Sequence, residues 1–147
     1  MNISDFLSPN NAMVDVRASD KRQLLRELAQ KAAPALQMPA KLIASVLIKR
    51  EELGSTGMGD GIAIPHARFP TLEKPFGILA RLKQPIDFDA VDGGRVDLVF
   101  VLLLPASPDG DPLAALACVA RKLRTSSLVA RLRQVKLSDE LYAAIVE

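Results

Sequence analysis

Val96-Asp97-Leu98-Val99-Phe100-Val101-Leu102-Leu103-Leu104-Pro105 is a near-continuous apolar run in this chain of 147 residues. A near-continuous apolar run of this length predicts a central β-strand covered on both faces, because a strand with one wet face would alternate with polar residues. It falls far short of the roughly 20 residues that a membrane-spanning helix needs. Toward the N-terminus, Phe76-Gly77-Ile78-Leu79-Ala80-Arg81-Leu82-Lys83 has the composition of a partly buried strand. Earlier still, Lys21 to Ala33 places Leu24, Leu25, Leu28, Ala29 and Ala32 on one helical stripe, with Ser19 or Asp20 available as N-cap. A second helix is expected from Pro39 through Leu42, Ile43, Val46 and Leu47 to about Glu52. On the C-terminal side, Leu113, Leu116, Ala117, Ala120 and Leu123 form a further stripe. Two short helices are marked by Leu128, Val129 and Leu132 and by Leu141, Ala144 and Ile145. Strands separated by helices in this order predict a single α/β domain over residues 1–147, with a mixed β-sheet covered by helices on both faces.

Composition narrows the function classes. The 19 Lys and Arg against 17 Asp and Glu leave a net charge of +2, and no basic cluster is longer than Lys21-Arg22 or Arg121-Lys122. With five Phe, one Tyr and no Trp there is no stacking platform either, so nucleic acid is not an expected partner. Cys118 is the only cysteine and falls within a helical pattern, where it reads as a small hydrophobe. One histidine and one distant cysteine match no metal-ligand spacing, so no metal and no cofactor are expected. The start Met1-Asn2-Ile3-Ser4-Asp5-Phe6 lacks a charged n-region and an apolar h-region. A cytoplasmic protein, not embedded in a membrane, is the expectation.

The single histidine, His66, stands in Gly59-Asp60-Gly61-Ile62-Ala63-Ile64-Pro65-His66-Ala67-Arg68. Pro65 fixes its own φ and keeps Ile64 out of the helical region, so the run is expected to stay extended up to an imidazole presented at the strand's C-terminal end. A largely neutral imidazole can take and return a phosphoryl group or a proton; a structural histidine at a turn is the plainer alternative. Upstream, Arg50-Glu51-Glu52-Leu53-Gly54-Ser55-Thr56-Gly57-Met58 is too rich in glycine and polar groups for a helix or a buried strand and is read as a shaped loop, with Arg50 in the last turn of the preceding helix. Gly57, Gly59 and Gly61 permit close backbone approach, Ser55 and Thr56 carry hydroxyl donors, and Arg50 offers a planar fork for phosphate oxygens. No Gly-Lys-Ser/Thr follows, so the segment is not a P-loop.

Taken together, Arg50 to Leu53, Gly54-Ser55-Thr56-Gly57, Gly61-Ile62-Ala63-Ile64-Pro65-His66, Pro85-Ile86-Asp87-Phe88-Asp89-Ala90-Val91-Asp92-Gly93 and Val96 to Pro105 resemble the EIIA component of the phosphoenolpyruvate-dependent phosphotransferase system. The resemblance is to the fructose/mannitol class and, within it, to the nitrogen-regulatory branch. It implies an EIIA-type fold and a histidine that accepts a phosphoryl group from a phosphocarrier of the HPr type. It makes His66 the acceptor and Arg50 the residue that stabilises the phosphoryl group, beside a loop of Ser55, Thr56, Gly57, Gly59, Asp60 and Gly61. Regulatory targets such as sensor kinases or transporters are implied as further partners. Among the apolar residues near the loop, Met58 and Phe69 are assigned to docking the donor.

Two departures from the family pattern bear on that reading. Pro112, in Asp109-Gly110-Asp111-Pro112-Leu113, stands where the family usually has a second histidine; proline suits a first helical turn but carries no group that can share a proton. Asp60 stands where asparagine is usual, and Ala67 where glycine is usual. A carboxylate beside the acceptor would oppose an incoming phosphate. Three functions therefore stay open at this level: a phosphoryl-relay regulator, a binding module of the same family that no longer takes phosphate, and a sugar-specific EIIA that passes phosphate to a permease component. A stand-alone enzyme is not supported, because no second general acid or base is placed near His66.

Overall fold

In the computed structural model, which describes residues 1–106 and 112–147, six strands form one mixed sheet between two helical layers. The elements are β1 (Ala12–Val16), α1 (Lys21–Leu36), α2 (Ala40–Leu53), β2 (Gly57–Gly59), β3 (Ile62–Ala63), β4 (His66–Phe69), β5 (Phe76–Ile86), β6 (Val96–Pro105), α3 (Pro112–Leu123), α4 (Ser126–Gln134) and α5 (Ser138–Val146). The sheet order is β1-β5-β6-β3-β2, with β4 pairing β6 on the same side as β3. The apolar run from Val96 to Pro105 is the centre of the sheet: β6 pairs antiparallel with β5 and parallel with β3 and β4.

Because side chains of a strand alternate between faces, β6 feeds two cores. Val99, Val101 and Leu103 pack with Leu24, Leu28, Ile43 and Leu47 of α1 and α2. Leu98, Phe100, Leu102 and Leu104 pack with Val119, Leu132, Leu141 and Ile145 of α3, α4 and α5. Phe100 meets Phe6 edge to face, at 6.2 Å between ring centroids. The expected helices are present, and Asp20 caps α1 by accepting from the Gln23 amide. Cys118 is half-buried in α3 against the second core.

β1 escapes the sequence reading because its pairing with β5 is broken between Met13 and Val16, where Asp15 adopts φ 56°. That bulge spoils the alternation by which a half-buried strand is recognised. Part of the expected loop is also a strand. Gly57–Gly59 pairs antiparallel with β3, and Gly57 lies so close to Ala90 that an added Cβ would stand 2.8 Å from the Ala90 Cβ. This pairing is imposed by tertiary contact, since Gly-Met-Gly has no intrinsic strand preference.

Candidate functional site

The placement of His66 follows from the register of two short strands. Ile62 and Ala63 pair with Leu98 and Val99, and His66 through Phe69 pair with Leu102 through Pro105, the same offset of 36 throughout. β3 and β4 are therefore one extended run interrupted at Ile64-Pro65, and His66 opens its second half rather than closing a single strand. Proline causes the interruption by having no N–H to give. The Pro65 carbonyl still accepts from the Leu102 amide (2.9 Å), while the Ile64 amide turns aside to the Thr56 carbonyl (3.1 Å). Alternation puts Ile62, Ile64 and His66 on the α3 side, whereas Ala67 and Phe69 enter the α1–α2 core.

The half-buried imidazole has its Nδ1 at 2.7 Å from the Ile64 carbonyl oxygen. That oxygen can only accept, so Nδ1 carries a proton, and in the neutral ring the lone pair is then on Nε2. His66 lies on an open cavity of about 490 Å³ together with Arg50, Ser55, Thr56, Gly57 and Arg124. Arg50, at the end of α2, donates from Nη1 to the Gly54 carbonyl (3.0 Å), which steadies its fork while leaving most of its N–H groups available. Arg124 follows the last turn of α3. Sequence reasoning passed over it, although it extends the stripe of Leu113, Leu116, Ala117 and Ala120 at helical spacing and these residues line the same cavity.

Behind the cavity, a buried network fixes the loop. Glu51 accepts from the Thr56 amide (3.1 Å) and hydroxyl and pairs with Lys21 at 3.0 Å. The Lys21 ammonium also donates to the Phe88 carbonyl (3.2 Å) and sits 4.9 Å from the Phe88 ring centroid. Ser55 donates to the same carbonyl (2.5 Å) and accepts from the Gly57 amide (3.0 Å). Thus the loop hydroxyls are engaged in holding the loop, and the positive charge facing the cavity comes from Arg50 and Arg124.

Asp60 and its flanking glycines lie elsewhere. Asp60 and Gly61 have φ of 57° and 78° at the centre of the β2–β3 turn, a pairing that glycine, asparagine and aspartate accept. The Asp60 amide donates to Asp92 (3.0 Å), and its carbonyl accepts from Arg133, which also pairs with Asp97 at 2.9 Å. Amide donors from Gly94 and Asp60 hold the Asp92 carboxyl below its ordinary range, so this restraint is fully present at neutral pH and is lost only as pH falls through that lowered value. Four residues of strand separate Ile62 from His66, about 13 Å at 3.3 Å per residue. Asp60 lies beyond Ile62 and lines a different cavity, with Arg133, Val129 and Ala130. The opposition between this carboxylate and an incoming phosphate, anticipated from sequence, therefore has no short-range basis in the fold. Asp60→Asn should leave phosphoryl acceptance within about twofold of the parent rate, measured by intact mass against time.

Of the two residues assigned to docking, Met58 is exposed and rims the His66 cavity. Phe69 is 2 % exposed and belongs to the α1–α2 core, because its position in β4 points it away from the imidazole face. Exposed Leu113 supplies the second apolar contact at the rim. Pro112 is the first residue of α3, while its side chain and Asp109–Asp111 lie outside the described residues. No group of metal-ligating side chains occurs among the described residues, and no helix among them is long and apolar enough to cross a membrane.

A helix-sandwiched mixed sheet that presents one imidazole, tautomer fixed, on a cavity with two guanidinium groups defines the class. The family model described as phosphoenolpyruvate-dependent sugar phosphotransferase system, EIIA 2, matches residues 5–147, and the chain belongs to that family. Its similarity runs with the nitrogen-regulatory members. It is 42 % identical to the nitrogen regulatory protein of Bradyrhizobium diazoefficiens, over 99 % of this chain and 95 % of the relative. Identity to the Escherichia coli nitrogen regulatory protein is 35 %, over 100 % of this chain and 91 % of the relative. The crystal structure of nitrogen regulatory protein IIA-Ntr from Neisseria meningitidis superposes with a TM-score of 0.91 at 31 % identity, covering 97 % of this chain and 98 % of the other. IIA mannitol from Escherichia coli shares the fold, with a TM-score of 0.76 at 17 % identity over 94 % and 97 % of the two chains.

Proposed function

We propose that His66 accepts a phosphoryl group on Nε2 from the phosphohistidine of an HPr-type carrier, and that the phosphorylated and free forms engage regulatory target proteins differently. The observation that carries this is the Nδ1 contact with the Ile64 carbonyl, which leaves Nε2 free on a cavity shared with Arg50 and Arg124. In the transfer, the donor's P–N bond breaks as the P–Nε2 bond forms, and the bonding pair returns to the donor imidazole. The proton on Nδ1 stays in place, and its bond to Ile64 offsets the positive charge that grows on the ring. Arg50 and Arg124 face the charge spread over the phosphoryl oxygens, so positioning and electrostatics account for the catalysis, as phosphoryl transfer requires. Met58 and Leu113 give the carrier a small apolar rim, in keeping with a transient complex. Full-length similarity to nitrogen regulatory proteins supports a regulatory output over delivery of phosphate to a sugar permease.

The test is incubation with phosphoenolpyruvate, the first phosphotransferase enzyme and an HPr-type carrier, followed by intact mass measurement. One added phosphoryl group, labile in acid and stable in base, is expected. A protein that stays unmodified with every carrier tried would be a binding module acting by contact alone, the reading that Pro112 favours by removing the usual second histidine. Arg124 is exposed at the end of its helix, so Arg124→Ala should leave the fold intact while slowing transfer about tenfold, or about 1.4 kcal/mol of transition-state stabilisation.

A further inference from the structure

On the outer surface of α1 and α2, away from His66, lies a groove of about 520 Å³. Arg22 and Arg26 line it from α1, one turn apart, and Lys41 and Lys49 line it from α2, two turns apart. None of these four cations forms an ion pair among the described residues; the ion pairs there involve Lys21, Arg131 and Arg133 instead. Unpaired like charges facing one concavity repel one another, a cost that an anion seated between them removes. The floor is apolar, with Ala44 and Ile48, and Glu52 is the single carboxylate on the lining. We propose that this groove binds a small organic polyanion, a compact molecule bearing two or more phosphate or carboxylate groups.

Size and charge spacing select that class. One helical turn separates Arg22 from Arg26 by about 6 Å, and two turns separate Lys41 from Lys49 by about 12 Å, so one isolated phosphate lies beside only part of this set of cations. A ligand of two or three anionic groups spans them, and the volume lies within the range of small-molecule sites. A nucleic acid strand would track beyond so short a groove, and no aromatic side chain lines it to stack a base. Ala40 and Ala44 leave room beside the α1 wall, where the arginine forks can take phosphate oxygens two at a time. This site does not depend on phosphorylation of His66.

The experiment is calorimetric titration of the full chain with 2,3-bisphosphoglycerate and with ATP, in buffer near 0.15 M salt, with inorganic phosphate as the control. Amide shifts in two-dimensional NMR locate the bound probe. At least one of the two polyanions is expected to bind about tenfold or more tighter than inorganic phosphate, with shifts centred on Arg26, Ser45 and Lys49. The exposed double variant Arg26→Gln/Lys49→Gln should weaken binding about tenfold or more, with its fold checked by circular dichroism. If the double variant unfolds, Arg26→Gln alone serves the same comparison. Failure of both polyanions to bind overturns the proposal, as does binding whose shifts fall at the His66 cavity. Tight binding of a glutamate-rich peptide or a single-stranded oligonucleotide, without binding of either polyanion, also overturns it by assigning this face to a macromolecule.

Discussion

Exchange of His66 for alanine should abolish the acid-labile phosphoryl label that the proposed function requires, because this is the single imidazole in the chain. The magnitude sets this prediction apart: loss of the nucleophile removes the reaction, whereas loss of a surrounding group only slows it. His66→Ala should cost little stability, since the ring is half-buried and its one bond goes to a carbonyl at the strand break. Arg50→Lys is the informative companion. It keeps the charge but not the fork, and a lysine cannot both hold the Gly54 carbonyl and span two phosphoryl oxygens. Transfer should slow by about one to two orders of magnitude, roughly 1.4–2.8 kcal/mol. Rapid-quench kinetics of label transfer with unchanged circular dichroism would check both variants. An acid-labile label retained in His66→Ala would remove the site assignment, and an unchanged rate in Arg50→Lys would leave Arg50 as a cap for its loop.

Lys21→Ala should be the most damaging single change away from the imidazole. Glu51 is buried, with its side chain 4 % exposed, and Lys21 is the only cation paired with it among the described residues. Breaking a buried pair from one side leaves an uncompensated charge, which costs about 3–5 kcal/mol, while the exposed Asp89 partner of Lys21 adds little. In a domain of this size such a loss lowers Tm by roughly 10 °C. Urea unfolding should show a reduced midpoint with an unchanged slope. Adding Glu51→Gln to Lys21→Ala should recover part of the loss, because the amide oxygen still accepts from Thr56 without stranding a charge. A double variant as unstable as the single one would mean that the Lys21 ammonium over the Phe88 ring, rather than the ion pair, carries the effect.

Much of this architecture could be read from periodicity. α1, α2 and α3 through α5 announce themselves by stripes at helical spacing, and β6 by an apolar run that only a doubly covered strand sustains. What escaped reading depends on contacts between distant segments. β2 is a Gly-Met-Gly triplet that pairs because Ala63 and Ala90 stand beside it, and β1 hides behind the bulge at Asp15. The site divides along the same line. His66 and Arg50 stand close enough to their turn and helix signals to be singled out. Arg124 enters only because the packing of α3 on β6 brings it to the His66 cavity, and Glu51 and Lys21 are 30 residues apart in a pairing that no local pattern encodes. Asp60 looked near His66 along the chain, yet an extended backbone converts six residues into a long separation. Phe69 looked exposed by proximity, but strand alternation decides its side.

The unbroken offset of 36 across Ile64-Pro65 has a consequence for how this segment can change length. Which helical layer the imidazole meets depends on whether an odd or even number of residues lies between it and Ile62. Losing or gaining one residue there would swing the ring into the hydrocarbon packing of α1 and α2 and bring Ala67 or Pro65 to the cavity in its place. A two-residue change would restore the facing but slide the ring about 6–7 Å along β6, away from both arginines. The segment is thus a counted spacer as well as a chemical motif, intolerant of a shifted reading of its length.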